Sequence, residues 1–277
     1  MADRIVRLTF WLRLGCDVPP MQLLSHLPSD IFLRGAEHHA EISSTNDRAM
    51  ELCRDAELLV PYLVLADQQT SGRGRGANRW WSSDGALLFS VIVDAVEYAL
   101  PESRWPQVSL TAGVTVCEVL GNVSSATVGL KWPNDIWLND RKVCGILVEV
   151  PPVQRGRLVI GIGLNVNNSF AAAPPELQTI ATSLCDESDA EFDRMKLLGE
   201  VMRQLDADLR RLAANDSSLP DRWQSLCVLR DRTVSLDTSQ QVVTGRCLGI
   251  ADDGALRLQT HSGEQRFYGG VVRRIER

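Results

Sequence analysis

The segment with the most evident chemistry is SGRGRGANRWW, residues 71–81, which contains three arginines and three glycines. Glycines let backbone N–H groups approach an anion, and arginines add fixed positive charge with forked donors. The segment occurs once, between strand candidates that end at Ala66 and begin near Ala86. Arg/Gly segments that bind RNA are usually repeated within low-complexity sequence. A loop between core strands is therefore predicted, either one that folds over a phosphate or a solvated basic loop.

A second candidate is LKWPNDIWL, residues 130–138, where Lys131 ends a predicted strand. Only Lys131, Lys142 and Lys196 are lysines among 29 basic residues, so arginine supplies the ordinary surface charge. Proline, asparagine and aspartate favour a turn, and a plain strand-to-turn junction is the alternative interpretation. A lysine at a strand end is nevertheless well placed to reach an anionic ligand.

Two further segments combine polar groups with glycine. In ISSTND, residues 42–47, Ser44, Thr45 or Asn46 either caps a helix or offers hydroxyl and amide groups to a small polar ligand. In IGIGLNVNN, residues 160–168, glycines interrupt an apolar strand. Glycine inside a strand often marks the close approach of a ligand or another backbone.

These segments must be positioned by an ordered α+β core. Apolar runs predict strands at 58–66, 86–93, 126–132, 143–150 and 158–166, and helical periodicity occurs near 46–57, 104–121 and 190–213. Turn-rich breaks lie at 169–176 and 214–221, the second near a predicted domain boundary. After residue 229, short strand candidates separated by turn signals predict a small β-barrel that packs against the larger domain.

Composition narrows the class of protein. The 277 residues are 44% hydrophobic, enough for a full core, and no apolar run approaches the ~18 residues of a membrane span. Arg4, Arg7 and Arg13 interrupt the start, which argues against a secretory signal and predicts a cytoplasmic protein. The seven cysteines contain no CxxC pair, so buried reduced thiols are expected. A net charge of -6 argues against bulk binding of polyanions, so any anion site must be local.

Together and in this order, five segments resemble biotin protein ligases, over a region from about residue 20 to the C-terminus. The segments are Ser44-Thr45-Asn46, Gln69 to Arg75 with Trp80, Lys131 to Asp135, Gly145 to Glu149, and Gly161 to Asn165. The resemblance implies a mixed sheet with helices on one side, like a class II synthetase, followed by a small SH3-like β-barrel. The expected domains are an N-terminal extension at 1–18, a catalytic domain at 19–228 and the barrel at 229–277.

The resemblance also implies an activity. Family members are carbon–nitrogen bond-forming ligases that convert biotin and ATP, with Mg²⁺, to biotinyl-5′-AMP. They then transfer biotin to one lysine of the biotin carboxyl carrier domain of a biotin-dependent carboxylase. Neither DNA nor a membrane is expected as a partner, and the oligomeric state, a homodimer included, is left open.

The family's functional residues map onto this chain by position. Biotin contacts fall on Ser44, Thr45, Asn46, Gln69, Arg73, Gly74, Arg75 and Lys131, with backbone contributions near Gly161 and Gly163, and nucleotide contacts fall on Trp80 and Asn165. Biotin carboxylate and ATP repel each other, so cations are needed to hold them together. Lys131 and Arg73 are chosen for that catalytic role, and the magnesium ligands are not assigned. Asp135 is hypothesised to orient the acceptor lysine, and the Arg/Gly loop is expected to order over the ligand as a lid.

Two departures from the family pattern stand out. Gly76, Ala77 and Asn78 follow the GRGR core where the family often has a further basic residue, so Arg79 receives no catalytic role. The segment before Ser44 is also shorter than the DNA-binding part of bifunctional members. A monofunctional ligase, and not a repressor of the biotin operon, is therefore expected.

Three other functions compete with this interpretation. A lipoate or octanoyl transferase shares the core fold, but the GRGR loop, KWPND and the barrel favour biotin. A nonenzymatic nucleic-acid-binding protein has only the Arg/Gly loop and the small β-domain in its favour. A sensor that holds biotinyl-adenylate without transferring it would share most site residues.

Overall fold

Two β-sheets organise the computed structural model, which describes residues 31–276. The predicted N-terminal extension at 1–18 and Cys16 lie outside the described residues. The first sheet has seven strands in the order β1-β2-β3-β7-β6-β5-β4, parallel between β1 and β2 and antiparallel elsewhere. Its strands are β1 (Gly35–Ile42), β2 (Tyr62–Gln69), β3 (Leu87–Asp94), β4 (Val128–Lys131), β5 (Asp135–Leu138), β6 (Arg141–Glu149) and β7 (Arg157–Leu164).

Three of the helices in the described residues begin after a polar residue whose side chain caps the first turn. The helices are α1 (Thr45–Leu52), α2 (Val108–Val123), α3 (Pro175–Gln178), α4 (Leu184–Ser188), α5 (Arg194–Ala213) and α6 (Ser218–Leu226), with 3₁₀ turns at Glu102–Gln107 and Phe170–Ala172. The Asp193 carboxylate accepts hydrogen bonds from the backbone N–H groups of Met195 and Lys196, at 2.9 and 3.0 Å. Because Asp193 fills the cap position, the long helix begins at Arg194 and not at residue 190 as predicted.

The two faces of the large sheet carry different helices. Leu63 and Leu65 of β2 pack with α2 and α5 in the main core, whereas Tyr62 and Val64 pack against α1 on the other face. This alternation follows from the two-residue period of a strand. Helices were expected on one side of the large sheet only, and α1 departs from this expectation because it lies on the other side. Its N-terminus lies over β3, β6 and β7, on the face where Gly161 and Gly163 stand.

Several elements escaped the sequence-based prediction, among them β1, β5 and α6. Strand β1 contains glutamates and histidines and has little apolar alternation, and β5 is only a four-residue strand that starts directly after the turn residues of KWPND. The break at 214–221 was expected to be a turn, but α6 begins within it at Ser218. Polar residues and proline favour both turns and the first turn of a helix, so the sequence signal is the same for both.

The second sheet contacts the large domain through α6 and the turn after β4. It has five antiparallel strands in the order β11-β10-β9-β8-β12: β8 (Thr233–Asp237), β9 (Val242–Ile250), β10 (Leu256–Thr260), β11 (Gly263–Phe267) and β12 (Val271–Glu276). The Trp132 indole N–H donates to the carbonyl of Gly254 at 3.0 Å, and the main core continues from Leu130 into Leu236 and Leu256. The small domain therefore shares its core with the large one, as expected, while the boundary at 228/229 stays a prediction.

The cysteine and membrane predictions concern the described residues only. There, Cys53, Cys117, Cys144, Cys185, Cys227 and Cys247 are free thiols, and five of the six are buried. Burial raises the pKa of Cys53 to about 11, so that thiol is protonated at neutral pH. No helix within residues 31–276 is long and apolar enough to cross a membrane.

Candidate active site

A cavity of about 660 Å³ opens where α1, the Arg/Gly loop, the large sheet and the small domain meet. Every site residue predicted from the sequence lines it: Ser44, Thr45, Asn46, Gln69, Arg73, Gly74, Arg75, Trp80, Lys131, Asp135, Gly161, Gly163 and Asn165. The small domain contributes Gly270, Val271 and Val272. The structure thus brings the predicted residues into one place, while the role of each stays a prediction.

One end of the cavity is formed by the N-terminus of α1. The backbone N–H of Thr45 donates to Gln69 Oε1 at 2.7 Å, and the Ser44 hydroxyl accepts from the N–H of Asp47 at 3.4 Å. Asn46 donates from Nδ2 to Glu149 Oε2 at 2.8 Å and to the carbonyl of Leu147 at 3.3 Å. With both donors engaged, the Asn46 amide keeps only acceptor capacity at Oδ1 for a ligand.

Ser90 completes this network, and the sequence analysis did not identify it as a site residue. Its hydroxyl donates to Asn46 Oδ1 at 2.6 Å and lies 2.8 Å from Thr45 Oγ1. Ser90 is fully buried, and it is the one polar residue between Leu87 and Val93 of β3. A single hydroxyl inside an apolar strand was the available signal, because buried polar groups need partners.

Glycines make room for two side chains on the sheet. A Cβ at Gly161 would collide with Asn46 Oδ1, and one at Gly163 would lie 2.6 Å from Cε2 of Trp80. Gly145 and Gly163 face each other across β6 and β7, and the Trp80 indole covers both. The glycines predicted to mark close approach therefore accommodate the protein's own Asn46 and Trp80, which form the walls of the cavity.

The cavity wall is basic although the whole chain is acidic. Of the described residues that line it, the basic ones are Arg73, Arg75, Arg79, Lys131 and Lys142, and the acidic ones are Asp135 and Glu176. Lys142 Nζ lies 2.6 Å from Asp135 Oδ1 and 5.5 Å from the centre of the Trp80 ring. The expectation of a local anion site is supported by this concentration of positive charge.

Lys131, Lys142, Arg75 and Asp135 form a cluster, here called the basic cluster. Lys131 and Asp135 are direct neighbours across β4 and β5, and Asp135 attracts the charges of both Lys131 and Arg75. Burial lowers the pKa of the Lys131 ammonium, Asp135 opposes that change, and Lys142 adds to it. Three cations around one carboxylate leave a net positive site for an anion. Lys142 was not among the residues predicted to be catalytic, although the sequence analysis had singled it out as one of only three lysines.

The Arg/Gly loop is folded as a tight hairpin. The backbones of Arg73 and Arg79 form an isolated antiparallel β-bridge, and the N–H of Gly74 donates to the carbonyl of Asn78 at 2.8 Å. At the tip, Gly76 has a φ of +68°, and the Asn78 amide donates to the carbonyl of Arg75 at 2.9 Å. Gly76, Ala77 and Asn78, noted as a departure from the family, thus supply the turn chemistry of this hairpin.

The hairpin is tied to the protein at two arginines. Arg75 donates to the carbonyl of Gly270 in the small domain. Arg73 pairs with Asp47 through Nε at 2.8 Å and with Glu149 through both terminal nitrogens. The positive charge of Arg73 is therefore neutralised by protein carboxylates, whereas the basic cluster keeps a net positive charge. This difference argues against the catalytic role predicted for Arg73.

The opposite end of the cavity is more apolar. The Trp81 and Phe170 rings lie 5.1 Å apart, and Leu177 and Ala181 pack in the same small cluster. Asn165, predicted to contact the nucleotide, donates to the carbonyl of Thr182 at 3.0 Å and accepts from Asn168 at 3.1 Å. Its side chain is thus engaged in fixing this wall of the cavity.

Residues 31–276 contain no group of three or more His, Cys, Asp or Glu side chains that converges as a metal site. Magnesium usually keeps several waters and binds through substrate phosphates with one or two carboxylates. The described residues therefore do not provide a full set of protein ligands for a magnesium ion.

Comparison with known proteins identifies the family. Residues 39–167 match the family described as Biotin/lipoate A/B protein ligase family, and residues 231–273 match the Biotin protein ligase C terminal domain. The biotin–[acetyl-CoA-carboxylase] ligase of Mycobacterium tuberculosis is 34% identical over 225 residues, covering 79% of this chain and 81% of that protein. The chain belongs to the biotin protein ligase family.

Two other members of the biotin protein ligase family extend the likeness. The bifunctional ligase/repressor BirA of Bacillus subtilis is 31% identical over 238 residues, covering 85% of this chain and 72% of that protein. The biotin protein ligase of Aquifex aeolicus, solved in complex with biotin and ATP, has a TM-score of 0.75 at 27% identity, covering 87% of this chain and 100% of that one. The predicted fold class, an α+β domain with a mixed sheet followed by a small SH3-like domain, is confirmed.

Proposed function

We propose that this protein activates biotin with ATP and transfers the biotinyl group to a lysine of a biotin carboxyl carrier domain. In the first step, a biotin carboxylate oxygen bonds to the α-phosphorus of ATP and pyrophosphate leaves. In the second, the amine of the acceptor lysine bonds to the acyl carbon, AMP leaves, and the nitrogen loses a proton. The observation that carries the proposal is a single cavity in which a polar pocket, the basic cluster and an apolar wall follow one another in space.

The polar pocket at α1 suits the ureido ring of biotin. A ureido group offers N–H donors and a carbonyl acceptor, and the pocket presents the Asn46 acceptor beside the Ser44 and Thr45 hydroxyls and the Gln69 amide. These groups are held by Ser90 and Glu149, so little reorganisation accompanies binding. Gly161 leaves the room that Asn46 occupies.

The basic cluster suits the reacting anions. Carboxylate and triphosphate repel each other, and preorganised cations in a low-dielectric site lower that barrier. In this proposal Lys131, Lys142 and Arg75 hold the two groups in line. Magnesium enters with ATP and neutralises phosphate charge when bound.

Trp80, Trp81 and Phe170 give the apolar end that a nucleotide base needs. The hairpin above them would exclude water and so protect the mixed anhydride from hydrolysis. Asp135 would orient the acceptor lysine through its second carboxylate oxygen, because the first, Oδ1, pairs with Lys142. An Asp135→Asn variant that transfers biotin at the unchanged rate would remove this role.

The deciding experiment is exchange of labelled pyrophosphate into ATP by the purified protein, dependent on added biotin. Lipoate and octanoate are parallel substrates, and Lys131→Ala is the variant of the basic cluster. Exchange with biotin alone, lost in the variant, is the expected result. Exchange with lipoate would indicate a lipoate-activating enzyme instead. Absence of exchange with biotin, lipoate and octanoate would refute the proposed ligase activity. Transfer to an added carrier domain separates a ligase from a sensor that only retains the adenylate.

A further inference from the structure

Glu149 connects two parts of the cavity that are far apart in the sequence. Its Oε2 accepts from Asn46 Nδ2 at 2.8 Å, and its two oxygens accept from the terminal nitrogens of Arg73. Asn46 belongs to the polar pocket, and Arg73 is at the base of the hairpin. One carboxylate therefore holds the pocket and the hairpin at the same time.

The position of Glu149 suits this double contact. It is the last residue of β6, and its side chain is 25% exposed, so both contacts are partly shielded from water. Hydrogen bonds to a charged group are stronger than neutral ones, and a guanidinium matches a carboxylate with two parallel bonds. Arg73 has a second partner in Asp47, the residue that follows Asn46 on α1.

The local charge separates Arg73 from the basic cluster. Two carboxylates surround the Arg73 guanidinium, so this group of three carries a net negative charge when ionised. A further anion would be repelled there, whereas the basic cluster is net positive. Arg73 is thus poorly suited to screen two substrate anions and well suited to fix the hairpin.

We infer that Glu149 is a positioning residue that sets the Asn46 amide for the ligand and, through Arg73, holds the hairpin over the cavity. The Asn46 half of this inference rests on the proposed biotin function, and the hairpin half does not. Arg73 accordingly acts through its carboxylate partners and not as a catalytic cation.

Two substitutions separate the two contacts. In Glu149→Gln the new amide NH₂ faces Arg73 if it replaces Oε1, and it faces both Arg73 and Asn46 if it replaces Oε2. In either orientation the Arg73 ion pair is removed, and Asn46 loses its bond to a charged acceptor. Asp47→Asn weakens the hold on Arg73 while the Glu149–Asn46 bond remains. Glu51→Gln is the matched control, because Glu51 stands on the same helix and pairs with Arg48, not with Arg73.

The experiment has two readouts on the full-length protein. The first is limited trypsin digestion without ligand, in which cleavage after Arg73, Arg75 or Arg79 is followed by fragment mass. Cleavage reports the population of opened hairpin when reclosing is fast. The second is the KM for biotin and the kcat in biotin-dependent pyrophosphate exchange, with the thermal midpoint of each variant recorded beside them.

Glu149→Gln is expected to be cleaved about ten-fold faster than wild type and to raise the biotin KM about ten-fold, which is the loss of one charge-assisted bond. Asp47→Asn is expected to speed cleavage and leave the biotin KM within about two-fold. Glu51→Gln should match wild type in both. Should Glu149→Gln fail to fold, Glu149→Asp is judged by the same criteria, since its shorter side chain cannot reach both partners.

Hairpin cleavage of the Glu149 variant at the wild-type rate would overturn the inference, as would an unchanged biotin KM. If wild type catalyses no exchange, the proposed function fails, and the digestion still decides whether Glu149 holds the hairpin.

Discussion

Lys131 is held as a cation in a place that disfavours its charge. Burial lowers its pKa, so at pH 7 the folded protein bears a cost for keeping the ammonium charged, and this cost disappears as the pH rises past the lowered pKa. Such a cost is typical of groups retained for chemistry and not for stability.

Lys131→Met is therefore expected to reduce pyrophosphate exchange by about 100-fold or more, while the thermal midpoint at pH 7 stays equal or rises. Differential scanning fluorimetry and the exchange assay measure the two quantities. Lys196→Met, at an exposed position of α5, is the matched control with unchanged activity. A midpoint lowered by several degrees would show that Lys131 stabilises the fold.

The glycines of β7 give a second prediction at single residues. Gly161→Ala displaces Asn46 and should raise the biotin KM, whereas Gly163→Ala displaces the Trp80 indole and should raise the KM for ATP, each by about ten-fold. Steady-state exchange kinetics with each substrate varied in turn measure both. Gly121→Ala in α2 meets no atom within 4 Å and should stabilise the fold by about 0.5–1 kcal/mol without a kinetic effect. Equal effects of both β7 variants on both substrates would contradict the division of the cavity.

Sequence reasoning found the residues of the cavity more readily than their partners. Asn46 and Lys131 stand in short motifs whose spacing is local and readable. Ser90 reaches Asn46 from β3, and Lys142 of β6 reaches Asp135 because β5 and β6 are neighbours in the sheet; contacts set by the fold in this way leave no local pattern.

Among the elements, α1 depends on a buried ion pair for its place on the sheet. Glu37 of β1 is fully buried and accepts from Arg48 Nε at 2.8 Å and lies 3.0 Å from His39 Nε2. Burial alone would raise the pKa of Glu37, but hydrogen bonds from His39 and Arg48 outweigh it and hold that pKa below its ordinary value. The orientation of α1, and with it the polar pocket, thus relies on a charged Glu37.

Glu37→Gln is expected to lower the free energy of unfolding by about 2 kcal/mol at pH 7. Since the folded pKa is lowered, the contribution of Glu37 is complete above its unfolded pKa and is lost as the pH falls through the folded value. Urea unfolding at pH 7 and at successively lower pH should show the difference between wild type and variant shrink in acid. Glu41→Gln, on an exposed position of β1, serves as control. A difference that does not depend on pH would contradict this account.

The predictability of elements followed the strength of their pattern. The buried strands β3 and β7 and the helices α2 and α5 were found within a few residues because apolar periodicity is strong there. Strand β1 was missed because its place in the sheet comes from parallel pairing with β2, and its polar residues are stabilised by partners such as Arg48.

At the scale of the whole molecule, one core joins the two sheets. Val228 donates to the carbonyl of Leu130 at 3.0 Å, and Gln224 of α6 exchanges hydrogen bonds with Leu248 and Ile250 of β9. The sequence indicated a change of texture near residue 229 and not the depth of this contact, because apolar residues on both sides give no sign of their mutual burial.

The described domains are therefore expected to unfold in one cooperative transition. Calorimetric and van't Hoff enthalpies should agree, and Trp132→Phe, which removes the bond to Gly254 and keeps an aromatic ring, should lower the stability of the whole by about 1 kcal/mol. Trp137→Phe, at a partly exposed site of β5, is the control. Two resolved transitions, or an effect of Trp132→Phe on one of them alone, would show that the domains are independent.

The bond between Arg75 and the carbonyl of Gly270 joins residues 195 positions apart, on opposite walls of the cavity. On a ribosome, at ordinary rates of synthesis, the second wall emerges roughly 10–40 s after the first. A nascent chain thus holds the Arg/Gly loop and the pocket well before the wall that faces them. The lining of the cavity is therefore complete only in chains that have been synthesised through the small domain.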